Sequence, residues 1–317
     1  MNQELEQHIL RMNGGVNELR QRGAYQQAIW LAHQANELAG QLGTNHPLYA
    51  TTLNNLGLLY TKVGDFAAAE TVLQQACEIT RTALGEADPQ YAINLSNLAA
   101  LYHDLGRYES AKPLYLRARE ILLHATVKED PDYATSLNNL ARLYHDMGKY
   151  AAAEPLFREA LHLRLVTHDK NHPSYALGLN NLAGLYQDMG KYSAAESLFQ
   201  RAVEIYRAAF DERHPIYGQC LNNLAHVYYD KREYVNAEDL LQHAANIVSA
   251  TLGANHPAYA SILNGLGKIY SSTGNTTQAE SHYHQALEIQ RATVGENHPD
   301  YAGTLKNLAG LYVETSQ

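Results

Sequence analysis

Seven prolines, Pro47, Pro89, Pro131, Pro173, Pro215, Pro257 and Pro299, recur at an interval of 42 residues, and each opens a segment of the form Pro-x-Tyr-x-x-x-Leu-x-x-Leu. A fixed period of this size marks a stacked array, in which each unit buries its apolar face only against its neighbours. Such a chain needs no central core. Its 317 residues therefore read as one continuous domain, 1–317, rather than as the two that length would suggest.

Each unit reads as two helices. After Pro47, the residues Leu53, Leu56, Gly57, Leu59 and Tyr60 follow spacings of three and four and make one apolar stripe. This is helix A. It starts at a proline preceded by His46, Asp88 or Asp130, a fitting cap and first-turn pair, and stops at Gly64, Gly106, Gly148, Gly190 or Gly274. Helix B carries Phe66, Ala69, Leu73, Ala76 and Ile79 and ends near Leu84. Alanines at 69, 111, 153, 195, 237 and 279, and again at 76, 118, 160, 202, 244 and 286, let the helices approach closely.

The positions Leu53, Leu56, Gly57, Tyr60, Ala69, Leu73 and Ala76 resemble the tetratricopeptide repeat, whose usual period is about 34 residues. The longer period here, with Leu137-Asn138-Asn139-Leu140-Ala141-Arg142-Leu143-Tyr144, Gly148-Lys149-Tyr150, Ala153-Glu154-Pro155-Leu156-Phe157 and His172-Pro173, is similar to the repeats of kinesin light chains. The resemblance implies an all-α fold, a right-handed solenoid of antiparallel helix pairs. Residues 1–45 read as a diverged N-terminal unit, in which Gly23, Tyr25, Ala28 and Ala35 echo later positions with a one-residue slip and Trp30 lies on helix B. Residues 46–297 make six repeats and 298–317 a C-terminal capping helix. No heptad segment of the kind that joins kinesin light chain to its heavy chain precedes the repeats, so a motor subunit is not expected.

If helix A packs through its apolar stripe, positions 51, 54, 58 and 61 face away from it and line a concave wall. The resemblance implies that such a wall holds an extended peptide or a partner's surface. One column contains Asn54, Asn138, Asn180, Asn222 and Asn264, with Ser96 and Lys306 as departures; the adjacent one contains Asn55, Asn97, Asn139, Asn181, Asn223 and Asn307, with Gly265. A carboxamide donates and accepts, so the columns suit either a peptide main chain or a brace between repeats. In kinesin light chains the asparagines matching Asn138, Asn180 and Asn222 help hold cargo peptides, which is what the resemblance implies here. Arg142, His145 and His226 join them further along the wall. Asp104, Asp146, Asp188 and Asp230 make its middle acidic, favouring a basic or aromatic-containing peptide or, equally, forming solvated helix ends. A few amide bonds at about 0.5–1.5 kcal/mol each and one or two buried side chains set a micromolar scale.

Other chemistries find no support. The net charge of −9, from 24 Lys plus Arg against 33 Asp plus Glu, argues against nucleic acid. No apolar run resembles a signal peptide or a membrane span, and a cytoplasmic protein is expected. Cys77 and Cys220 occupy unlike positions in different repeats, which speaks against a disulfide. The pairs His103-Asp104 and His145-Asp146 diverge by about 100° on one helix, and neighbouring repeats lie about 10 Å apart, so no compact metal shell is expected. His46, His172, His214, His256 and His298 precede the helix-opening prolines and read as caps. With no phosphate loop or nucleophile motif, no enzyme and no cofactor are expected. Pro113 and Pro155 fall in the first turns of helix B and read as tolerated kinks, while Arg232 and Thr276 replace a turn glycine and an aromatic and mark a candidate hinge. The reading is a peptide- or protein-binding scaffold; a regulatory peptide sensor that changes pitch, or an oligomerisation module, is the alternative, and the oligomeric state is left open.

Overall fold

The computed structural model describes residues 2–125, 130–296 and 298–315. Among them are fifteen α-helices: α1 Asn2–Gln21, α2 Tyr25–Gly40, α3 Pro47–Val63, α4 Phe66–Leu84, α5 Pro89–Asp104, α6 Tyr108–Ala125, α7 Pro131–Asp146, α8 Tyr150–Thr167, α9 Pro173–Asp188, α10 Tyr192–Ala209, α11 Pro215–Asp230, α12 Tyr234–Leu252, α13 Pro257–Ser272, α14 Thr276–Thr293 and α15 Pro299–Thr315. They fall into two compact units, residues 1–167 and 168–317.

The local chemistry repeats faithfully. Each A helix from α3 to α13 begins with proline in its first turn, behind a cap in extended backbone. The His46, His172, His214 and His256 rings accept at Nδ1 from the backbone N–H two residues on, at 3.1–3.3 Å, and Asp88 and Asp130 do the same through carboxylate oxygen at 2.7 Å. The histidine caps are structural, as the sequence indicates. At the other end the turn needs a left-handed residue, supplied by Gly190 with φ 72°. Arg232 takes the same place at φ 63° and is the non-glycine residue with positive φ among those described. Its turn closes like that of Gly190, with Glu233 N–H donating to the Tyr228 carbonyl at 2.8 Å, so the substitution keeps the geometry at about 1–2 kcal/mol of local strain. The helices α6 and α8 run through Pro113 and Pro155.

Within a hairpin, small residues of helix A receive a large residue of helix B. A Cβ placed on Gly57 would lie 2.4 Å from Leu73, and one on Gly267 would lie 2.6 Å from the Tyr283 ring. Ala69, Ala76 and their equivalents through Ala286 are fully buried or nearly so. The next hairpin is tied on by tyrosine: Tyr102 donates to Glu70 at 2.9 Å, Tyr270 to Glu238 at 2.7 Å, and Tyr312 to Glu280. Among the described residues no helix is long and apolar enough to cross a membrane.

Candidate functional site

The asparagine columns bond first to each other. Asn97 Nδ2 donates to Asn54 Oδ1 at 2.9 Å, Asn223 to Asn180 at 3.0 Å and Asn307 to Asn264 at 2.9 Å, each across 43 residues. The series reaches into the first hairpin, where Asn55 donates to Asn13 at 2.9 Å. These rungs have a structural cost for the wall reading. Asn54, Asn138 and Asn222 of the first column and Asn55 of the second are buried, whereas Asn97, Asn139, Asn180, Asn181, Asn223 and Asn264 are half-buried. The column expected to face a ligand is the more deeply sunk of the two, because within each unit the A helices of adjoining repeats flank one another.

A second set of rungs runs along the C-terminal ends of the A helices. His103 bonds Asp146 at 2.7 Å, Gln187 donates to Asp230 at 2.6 Å and Tyr229 bonds Ser272 at 3.0 Å. Side chains of neighbouring repeats meet here because each reaches about halfway between the helices. Burial raises the Asp146 carboxyl, but the bond from His103 and the charges of His103, His145 and Arg142 outweigh it and hold the group below its ordinary value. His145 is half-buried beside the rings of Tyr150 and Phe157, and Arg142 is exposed. No group of three metal-ligating side chains is found among the described residues.

One rung is interrupted. Gly265 stands where an asparagine would reach Asn222, and Asn222 Oδ1 is buried without a partner. A Cβ at 265 would meet Leu241 at 3.0 Å and His226 at 3.5 Å; Leu241 holds the place that Leu73, Phe199 and Tyr283 hold in their hairpins, whereas His226 stands where α9 has Gly184. Burial of the half-buried His226 ring, assisted by the Lys268 charge and opposed by Asp230, depresses its pKa from 6.5 to about 4. It is neutral at pH 7.

At the intact rung between α9 and α11 the wall opens instead into a cavity of about 420 Å³. Leu177, Ile216, Tyr206 and Phe210 supply its apolar lining, Ser174 and Gln219 its polar edge, and Asn180 and Asn223 its far end. Leu177 is 44% exposed and Ile216 39%. Phe210 is held by stacking on His214, with centroids 4.3 Å apart. Asn180 Oδ1 is occupied twice, by Asn223 and by the weak Cys220 thiol donor at 3.9 Å, which leaves the Asn180 Nδ2 and the Asn223 Oδ1 to offer. Cys220 is buried in the floor, and burial alone pushes its thiol up to about 12, so it is a packing residue. Cys77 is likewise free and buried.

Of the expected wall residues, the structure brings Asn180 and Asn223 to the cavity, joins Asn54 to Asn97 as a brace, and sets Asn222 and His226 at the interrupted rung. Leu177, Ile216 and Phe210 escaped the sequence reading. The signal was partial: Leu177 shares its column with Thr51, Thr135, Gln219 and Ser261 but also with Ile93, and Ile216 shares its column with Asp132, Ser174 and Asp300 but also with Leu48 and Ala258.

The comparisons agree with this architecture. A tetratricopeptide repeat family model matches residues 17–82, 90–165, 132–208, 174–239, 219–292 and 269–317, and one for anaphase-promoting complex subunit 5 matches residues 60–114. No curated protein matches the chain. Among solved structures, a Podosopora anserina protein named after kinesin light chain, with nearly identical TPR-like repeats, is 25% identical over 65% of this chain and 97% of that one, at TM-score 0.55. BtubC (BKLC) from P. vanneervenii is 26% identical over 78% of this chain and 92% of its own, at TM-score 0.57. The apo quorum sensor NprR of B. thuringiensis is similar in fold, 18% identical over 90% and 77%, at TM-score 0.67. With the model matches spanning nearly every hairpin, the chain belongs to the tetratricopeptide repeat family.

Proposed function

We propose that the chain is a protein-interaction scaffold with repeats of the kinesin light chain type, located in the cytoplasm, that binds an extended peptide segment along its A-helix face, anchored in the second unit between α9 and α11. The observation that carries this reading is the pairing of an apolar cavity with two unspent amide groups at one edge. An extended chain places a carbonyl and an N–H beside each side chain, so the Asn180 Nδ2 can donate to one and the Asn223 Oδ1 accept from the other. An aliphatic or aromatic side chain of the same segment enters between Leu177, Ile216 and Phe210. Burying one such side chain contributes about 1.5–3 kcal/mol, and each amide bond about 0.5–1.5 kcal/mol. After the cost of ordering the peptide, a dissociation constant in the micromolar range is expected, on the order of 10 µM.

The wider asparagine wall takes a reduced part in this reading, since rungs such as Asn54 with Asn97 use their groups on each other. Asn138, Asn139, Arg142, His145, Asn181 and Asn264 are proposed as extensions of the binding face in their own units, secondary to the cavity.

The test is a peptide-array screen with the intact chain, followed by titration of the best binder against Leu177→Asp and Ile216→Asp. Both residues are exposed, so helicity should be preserved while affinity falls by about tenfold or more, consistent with about 1.4 kcal/mol per decade. Undiminished affinity in both variants overturns the assignment of the cavity.

A further inference from the structure

One edge of the cavity beside Asn180 is held by a single ring. His214 caps α11, its Nδ1 accepting from the Ile216 N–H at 3.3 Å, and its face stacks on Phe210 at 4.3 Å and 17°. Phe210 stacks in turn on Tyr206, with centroids 6.2 Å apart. Ile216, Phe210 and Tyr206 all line the cavity. The helix on its other side, α9, opens in the same way, with His172 Nδ1 accepting from the N–H of Ser174, another lining residue. In the first unit α5 and α7 carry aspartate at this place, and Asp88 and Asp130 accept at 2.7 Å. The two kinds of cap respond differently to acid. A carboxylate stays an acceptor down to about pH 4, whereas an imidazole accepts only while it is neutral, because both nitrogens carry hydrogen once it is protonated.

We propose, on the peptide reading of this cavity, that His214 is its positioning residue and makes binding acid-sensitive: the neutral ring fixes Ile216 and Phe210 against each other, and the protonated ring releases them. A hydrogen on Nδ1 meets the Ile216 N–H in place of an acceptor, beside the other unpaired N–H groups of the first turn and at the positive end of the helix dipole. The imidazolium turns away from α11, and Phe210 loses the surface that sets its place. His214 is half-buried, so protons reach it. The charges in its loop are already paired, Arg213 with Asp211 at 2.9 Å and Glu212 with Arg207 of α10 at 2.7 Å, and among the described residues none forms an ion pair with His214. From α9 the cavity receives only the uncharged Pro173, Ser174, Leu177 and Asn180. On α12, His243 stands edge-on to the Tyr217 ring at 5.9 Å, and on α13 the corresponding group is His256, a cap of the same kind. Burial raises the Tyr217 phenol and the Cys220 thiol, so neither carries charge in the range of about pH 5 to 8 where imidazoles titrate. His226, with a pKa of about 4, stays largely neutral there too. Binding is therefore at full strength in the neutral range and weakens as the pH falls.

The test is a titration of the full chain with the best array peptide, chosen without histidine or acidic residues and with blocked ends, at about pH 7.5 and about pH 5.5. Affinity should fall by about fivefold to tenfold on acidification, the scale of one lost cap. In His214→Asp, which installs the cap of α5 and α7, and in His214→Asn, which installs an uncharged acceptor, the two affinities should agree within about twofold. Without peptide, the protection of the Ile216 amide against hydrogen exchange should drop at the lower pH in the parent and not in the variants. Equal affinities in the parent, or a pH dependence that persists in both variants, overturns the role of His214 and leaves the cavity reading standing. If no peptide binds at the higher pH the cavity reading falls, and the Ile216 amide then decides alone: protection that does not change with pH overturns the proposal as well.

Discussion

The junction between α9 and α11 and the junction between α11 and α13 are built on one register, yet they solve the same problem differently. In the first, Asn223 closes its rung on Asn180 and the wall beside it opens into an apolar cavity. In the second, Gly265 leaves the Asn222 acceptor buried and alone, and His226 packs beside it where the first junction has Gly184. The backbone repeat guarantees proximity, but one side chain decides whether a junction is braced by polar bonds or by packing. A braced junction can spare its surface for a ligand. A packed one has nothing left to offer, and carries a depressed histidine pKa as the price of desolvation.

The sharpest way to break this contrast is Leu241→Ala. Leu241, the large helix-B residue of its hairpin, also lies nearest to position 265, so its removal should cost about 2–5 kcal/mol in urea denaturation, and adding Gly265→Asn to it should recover about 1 kcal/mol by supplying a donor to Asn222. A double variant less stable than the single one would show that the space is not a vacated asparagine site.

The second effect is in pH. His226 has a folded pKa of about 4 against 6.5 unfolded, so both states are neutral above pH 6.5. As the pH falls from 6.5 to about 4 the unfolded chain gains a proton that the folded one refuses, and stability should drop by about 1–3 kcal/mol before levelling off. His226→Leu should flatten that slope relative to the parent; an unchanged slope would place the titration elsewhere.

Smaller still is the intact rung itself. Asn223→Ala removes the donor to a half-buried acceptor that water can partly reach, so a loss of about 0.5–1.5 kcal/mol is expected in thermal melts. Asn222→Ala deletes an oxygen that already lacks a partner and should cost less than Asn223→Ala, by about 0.5 kcal/mol or more. Equal costs would mean that the rungs contribute no more than the side chains' packing.

Much of the fold was legible in the residues. The expected span of helix A after Pro47, its stop at Gly64 and the span of helix B from Phe66 to Leu84 coincide with α3 and α4. Proline, histidine or aspartate, and glycine act on their immediate neighbours, so their effect needs no tertiary information. Arg232 is the instructive exception. It adopts the left-handed conformation of the glycine it replaces, held there by the two flanking helices.

The site was legible only in part. Asn180 and Asn223 were marked by their recurrence, but recurrence could not say whether a carboxamide faces a ligand or the next repeat. Leu177 and Ile216 stand in columns that mix polar and apolar residues, with Ile93 in one and Leu48 in the other, so the residue type alone does not single them out.

The sequence by itself determined a stack of helical hairpins, since a strict period with local stop signals and a three-four apolar stripe admits few other structures. Only the tertiary structure decided that Asn97 spends itself on Asn54, that Asn222 is stranded, and that a cavity opens beside Asn180. The physical reason is range: helix propensity and capping act within a few residues, whereas these contacts join side chains 43 positions apart, whose reach and crowding depend on the packing of whole helices.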